Sequence, residues 1–297
     1  ADIQNALDSI QSLNADFVKI YDGSLTPTMF YAIIEAAKNR DMKVTGHMPM
    51  NAYFKKAIEK GIDGTEHMYY LIKACSSMED SLTALHQGYA VMPEIIESYD
   101  ETRAKQVFQY MVDNNVFVTP TLFIGKTLAN LTIEDHSDDS LLQYIGDGIK
   151  ATYKDRLESA KRARARGNLT RQVMNEHAMD MILPMQEAGV SMLAGSDCGA
   201  YNSFVYPGGG LHGELMMLVK AGLTPRQALI TSMVNGPRFF EIESKYCNVA
   251  SGKYADLIIL DKNPLINIEN VQKIDAVIAR GRLHSYQQLI KKLKRYH

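Results

Sequence analysis

Five short apolar segments, ADFVKIYD, MKVTGH, GIDGTEH, NVFVTPTLF and GVSMLAGSD, recur along the chain up to Asp197, and the stretches between them carry apolar residues at helical spacing. Ile3, Ala6, Leu7, Ile10 and Leu13 line one face of a first helix, and Thr26 with Pro27 forms a cap and first-turn pair opening a helix with Phe30, Ile33, Ile34 and Ala37 on one side. A further helix is expected near Asn51 to Lys60, and a longer helical stretch before NVFVTPTLF. Strands that alternate with helices pack as a parallel sheet covered by its crossovers, either doubly wound or closed into a barrel. The barrel is favoured. No glycine-rich phosphate loop follows any strand, whereas Lys19, His47, His67 and Asp197 each stand at or just after a strand's C-terminal end, where barrel enzymes place their chemistry. A closed barrel takes eight strands, so five leave a deficit of about 90 residues at roughly 30 per strand-helix unit.

Between NVFVTPTLF and GVSMLAGSD a long charged stretch holds helical runs at Tyr153 to Arg166 and Arg171 to Met185, and is expected to be a helical insertion at about 126–187. The chain then gives the loop NSFVYPGGG, a helix, and a second helix opened by Thr224 and Pro225. GKYADLIILD and KIDAVIARGRLHS are expected as two short strands of a small β subdomain. The organisation expected is a partial barrel over 1–240 and a β-sandwich part with a terminal helix over 241–297.

The 297 residues can bury a large core, and 32 basic against 34 acidic side chains leave a net charge of -2, which suggests neither a nucleic acid nor an anionic membrane as partner. Lys291, Lys292, Lys294 and Arg295 are expected to form a solvated helix end. No apolar run approaches the roughly 20 residues that span a bilayer. Ala1 is followed at once by a helix, so the natural start is expected upstream, where any export signal would lie, and the compartment stays open. Cys75, Cys198 and Cys247 form no CxxC pair, which argues against a disulfide framework or a cysteine zinc site.

Each candidate site residue has an ordinary reading beside the chemical one. Lys19 alternates with Val18 and Ile20 and can simply reach solvent, a lone histidine is more often a structural residue than a ligand, and Asp197 can cap a turn. Together they carry more, because histidines ending successive parallel strands stand side by side, where two imidazoles can share one metal. Tyr21, Tyr206, His212 and the loop Gly208 to Gly210 are weaker candidates for substrate contact. His86, His136 and His177 show no ligand spacing and are expected at the surface.

The ordered set of Lys19 in DFVKI, His47 in VTGHMP, His67 in GTEHM and Asp197 in MLAGSD resembles the amidohydrolase superfamily, specifically its imidazolonepropionase-like and prolidase-like branch. LHGELMMLVKAGLTPRQALITSMVNGPRFF resembles that branch's last barrel helices, and SGKYADLIILDKNPL with AVIARGRLHS its C-terminal β-sandwich strands. The resemblance implies an α/β fold of the (β/α)8 TIM-barrel type with strands four to eight present. It implies a carboxylated Lys19 bridging two divalent ions, Zn2+ by expectation, with His47 and His67 on one ion. Asp197 would bind the other and shuttle protons while activated water attacks an amide, cyclic amide or dipeptide bond of a small-molecule substrate. The family's first-strand His-x-His pair occurs nowhere in this chain. The expectation is therefore at most one weakly held ion and little hydrolysis by these residues alone, until a missing N-terminal segment is supplied. The alternative is a non-catalytic module that covers its open edge in a homo-oligomer.

Overall fold

Asp63 ties three strands and a helix together. Its amide donates to the Val44 carbonyl (2.9 Å), its Oδ2 accepts the Val44 amide (2.7 Å), its carbonyl accepts the Phe117 amide (2.9 Å), and both carboxylate oxygens take the Lys38 ammonium at 3.0 Å. The protein is described here by a computed structural model over residues 2–294; Ala1 and Arg295 of the basic cluster lie outside the described residues. Two compact units are present, one of residues 1–120 with 176–192 and one of 121–175 with 193–297.

The first unit alternates as the sequence predicts. It runs α1 (Asp2–Ser12), β1 (Phe17–Ile20), α2 (Pro27–Lys38), β2 (Lys43–Gly46), α3 (Phe54–Glu59) and β3 (Gly64–Glu66). Four helices follow, α4 (Tyr69–Ala74), α5 (Glu79–Ala84), α6 (Met92–Glu97) and α7 (Glu101–Asp113), and then β4 (Phe117–Thr119). β1 pairs with β2 and β3 with β4, both in parallel, and Asp63 joins the two ladders. Val18 and Ile20 are buried on one side of β1 while Lys19 points the other way into exposure, the period of two that a strand imposes. Thr26 Oγ1 accepts the Met29 amide and Pro27 occupies the first turn of α2, which buries Phe30, Ile34 and Ala37.

Two expectations about the strands need correction. GVSMLAGSD forms a single parallel bridge, Met192 to Val118, rather than a fifth strand, and two residues on the Ala194 amide donates to the carbonyl of Thr231 (3.3 Å) instead of to a strand. NVFVTPTLF stops at Thr119: Pro120 has no amide for a ladder, Thr121 turns with φ 53°, and Leu122 starts a helix. Four parallel strands thus stand in chain order, and no closed barrel is found among the described residues.

In the second unit α8 (Leu122–Ala129) and α9 (Asp147–Ala165) come first; α10 (Thr170–Asp180) runs from the second unit into the first, α11 (Ile182–Ala188) belongs to the first, and α12 (Gly209–Lys220), α13 (Pro225–Met233) and α14 (Asn235–Phe239) belong to the second. Thr121 offers α8 no side-chain cap. Glu214 of α12, fully buried, takes that role: its Oε2 accepts the Phe123 amide at 2.7 Å, and the Leu122 and Thr121 amides also serve it. Gly213 permits the approach, since a Cβ there would meet the Phe123 ring at 2.5 Å. Burial nevertheless outweighs the three amides and pushes the Glu214 carboxyl up to about 7. The β subdomain holds three antiparallel strands, β5 (Leu257–Leu260), β6 (Ile274–Ala279) and β7 (Arg282–Ser285), before α15 (Tyr286–Leu293). Two strands were expected; Arg280 (φ 49°) and Gly281 (φ 74°) fold KIDAVIARGRLHS into a hairpin.

Gly46 ends β2 at φ 132°, where a Cβ would lie 2.2 Å from the Ile20 carbonyl oxygen. Gly46→Ala is expected to destabilise the protein by more than about 2 kcal/mol in urea unfolding. Gly148→Ala, in α9 with open space around it, shifts the same midpoint by less than about 1 kcal/mol. Equal stability of the two variants would contradict the close approach of β2 to β1. Glu214 sets a pH dependence opposite in sign to that of ordinary carboxylates. Its folded pKa lies above the ordinary glutamate value of 4.5, so the folded state binds the extra proton between pH 4.5 and 7. Stability from this group is fully present below pH 4.5 and falls, by on the order of 3 kcal/mol, as pH rises to 7. The difference in unfolding free energy between the wild type and Glu214→Gln should follow that fall; a difference constant across the window would refute it.

Candidate metal centre

His47 and His67 are the first residues past β2 and β3, and the parallel hydrogen bonding continues through them: His47 N–H donates to Ile20 O and His67 N–H to Thr119 O, each at 2.9 Å. Their side chains meet. The two Nε2 atoms are 2.9 Å apart and the ring centroids 4.7 Å. His67 is buried; burial first, then the neighbouring charges of His47 and Lys19, push its pKa down to about 3, so the ring is neutral and can act as a ligand.

Asp22, two residues past β1, supplies the orientation. A carboxylate only accepts, so His47 Nδ1 donates to Asp22 Oδ1 (3.2 Å), which turns Nε2 toward His67. Tyr89 donates to Asp22 Oδ2 (3.0 Å), and the Tyr70 hydroxyl is 2.8 Å from that of Tyr89. Burial works against the Asp22 carboxylate, but the hydrogen bonds from His47 and Tyr89 and the charge of His47 outweigh it and hold the carboxyl below its usual range. Tyr21 leans on the His47 ring at 4.8 Å and Tyr69 on the His67 ring at 5.5 Å.

The third member of the cluster is a residue that sequence reasoning passed over. Neighbouring residues of a strand face opposite ways. His67, however, has φ 64°, in the left-handed region, and this turn lets Glu66 and His67 face the same point. Glu66 Oε2 is 4.0 Å from His47 Nε2 and forms an ion pair with Lys19. One ligand atom from each of His47, Glu66 and His67 lies within 4.8 Å of the other two. Two ring nitrogens converging with a carboxylate oxygen fit a divalent cation. The sequence signal for Glu66 was its adjacency to His67 in GTEHM; for Asp22 it was a carboxylate close behind a strand that bears Lys19.

The remaining candidates fall outside this cluster. Asp197 belongs to the second unit, half-buried with φ 49°, its carbonyl accepting Asn202 Nδ2 at 2.6 Å. Tyr206 is buried there and donates to Asp139 (2.6 Å), and His212 stands half-buried on α12. Two of the histidines expected at the surface are partly buried: His136 stacks on Phe204 at 3.8 Å and His177 packs edge-on against Tyr99 at 4.4 Å. His86 is exposed and within 3.2 Å of Asn51 Nδ2.

The profile of the amidohydrolase family matches residues 16–284. The chain belongs to the amidohydrolase family. No curated protein matches it. Among solved structures it is similar to a bottromycin amidohydrolase, at 19% identity and TM-score 0.74, covering 98% of this chain and 60% of that one. It is also similar to a Xaa-Pro dipeptidase with bound methionine (19%, 0.61, covering 95% and 58%) and to A. niger ochratoxinase (17%, 0.60, covering 95% and 54%). The chain spans less than two thirds of the length of each of these proteins, and at such identities the likeness speaks for the fold, a barrel-type α/β architecture.

Asp22 fixes the His47 ring without touching the point where the three ligand atoms converge. Asp22→Ala should weaken Zn2+ binding by about 10–100-fold in calorimetric titration, with Tyr89→Phe a smaller loss in the same direction. Unchanged affinity in Asp22→Ala would remove the orienting role.

Proposed function

We propose that this chain is part of a metal-dependent hydrolase that cleaves an amide, cyclic amide or dipeptide bond of a small substrate. The observation that carries the reading is the convergence of His47, Glu66 and His67 in a chain of the amidohydrolase family. A Xaa-Pro dipeptidase and an amidohydrolase among the similar structures support carbon-nitrogen bonds as the target class. A bound divalent cation, Zn2+ in this reading, supplies Lewis acidity that makes water a nucleophile near neutral pH and polarises a carbonyl.

The chain's own residues have separable tasks in this scheme. His47 and His67 hold the cation through Nε2, Asp22 keeps the His47 proton on Nδ1, and an oxyanion completes the donor set, from Glu66 by its place in the cluster or from Lys19 by the resemblance. Tyr21 and Tyr69 offer aromatic surface beside the two rings for the apolar part of a substrate. The proton-shuttle role of Asp197, substrate contacts by Tyr206 and His212, and the division at residue 240 rest on the resemblance.

The test measures Zn2+ content and hydrolysis of a panel of Xaa-Pro dipeptides, N-acyl amino acids and cyclic amides, using the wild type, His47→Ala and His67→Ala. Each substitution should cost about 10-fold or more in Zn2+ affinity and abolish any metal-dependent turnover. Metal content that is the same in all three proteins would sink the proposal.

A further inference from the structure

Glu66 carries an inference that the family resemblance does not contain. Its Oε2 is in contact with the Lys19 ammonium, the atom to which an added carboxyl group would be attached. The Lys19 side chain is 42% exposed and its ammonium is already paired with Glu66 Oε2. A carbamate there, formed from the amine and carbon dioxide with loss of a proton, would exchange that attraction for two anions in contact.

The geometry around Glu66 is that of a ligand. Tetrahedral zinc donors at about 2.0–2.2 Å from the metal lie about 3.4 Å from one another. The separations of 2.9 Å between the histidine Nε2 atoms and 4.0 Å from His47 Nε2 to Glu66 Oε2 bracket that value, and all three ligand atoms lie within 4.8 Å of one another, so modest side-chain shifts would seat a cation. The left-handed backbone at His67 points the same way. A β-region His67 would send its side chain and that of Glu66 to opposite faces, and the turn that brings them together carries a conformational cost. Two histidines and a glutamate with one position open match the donor set of a catalytic mononuclear zinc site.

Resting on the metal-dependent reading above, we propose that Glu66 is the carboxylate ligand of a single-cation site with His47 and His67, and that Lys19 remains an unmodified amine that neutralises it. The two residues then have unequal roles. Glu66 touches the cation, and Lys19 only balances its charge.

Calorimetric titration with Zn2+ and Co2+, together with the visible spectrum of the Co2+ form, separates the roles in the wild type, Glu66→Gln, Glu66→Asp and Lys19→Met. The wild type should bind one cation. Glu66→Gln should bind it at least about 10-fold more weakly with an altered Co2+ spectrum, Glu66→Asp should fall between, and Lys19→Met should keep one cation within a few-fold. Added bicarbonate should change none of these, and protein equilibrated with 13C-bicarbonate should show no lysine carbamate in its carbon spectrum. Circular dichroism confirms that each variant is folded, and Glu66→Asp, which keeps the charge pair with Lys19, replaces Glu66→Gln should the latter fail to fold. A carbamate signal, loss of the cation in Lys19→Met with recovery on added bicarbonate or propionate, or equal losses in Lys19→Met and Glu66→Gln would each overturn the Glu66 assignment while leaving a metal-dependent hydrolase standing. Wild type that binds neither cation would overturn both.

Discussion

The backbone hydrogen bonds that carry the parallel ladder one residue past the strands hold the centre in place. His47 is anchored on Ile20 of β1 and His67 on Thr119 of β4, so each imidazole is positioned by two strands at once. A single such bond contributes only about 1 kcal/mol net. Its value lies in geometry, because the register that pairs Ile20 with Gly46 and Glu66 with Thr119 also fixes where the next residue starts. The ring contact follows from that register, and so does the reach of Asp22 to His47 from behind β1. A slip of one residue in either ladder would turn the histidine away, since side chains alternate faces with every step.

The strands and the first helices were legible in the sequence because their signals are local. Val18, Lys19 and Ile20 show the period of a half-buried strand, and Thr26 with Pro27 shows a helix start; both behave as their side chains dictate. The two histidines were legible for a topological reason, as strand-terminal residues in successive units of an α/β repeat. What escaped was whatever depends on a single backbone angle. Glu66 joins the cluster only because His67 is left-handed, and KIDAVIARGRLHS becomes a hairpin only because Arg280 and Gly281 both take positive φ. The run GVSMLAGSD has the apolar character of a strand, yet strand pairing depends on which partner claims each amide, and Ala194 gives its own to Thr231. His136 and His177 were misjudged for a related reason: the rings that half-bury them, Phe204 and Tyr99, are distant in sequence.

Left-handed residues of this kind cost on the order of 1–3 kcal/mol each and persist only where their surroundings hold them. In the first unit Lys73 ties together segments that flank His47 and His67. This side chain, fully buried on α4, donates to Met50 O (2.8 Å), Ala52 O (2.6 Å) and Thr83 Oγ1 (3.0 Å), so all three ammonium donors are used. Met50 and Ala52 belong to the loop that leaves His47, and α4 begins two residues after His67. One buried cation therefore ties together the two segments that bear the imidazoles. Burial pushes its pKa down to about 8 against the opposing pull of Glu79 and Asp80, which leaves it mostly charged at neutral pH and its three bonds intact. The cluster is braced behind His47 by Asp22, Tyr89 and Tyr70, and Lys73 fixes the loop that leaves His47. Lys19 and Tyr21 are its exposed members.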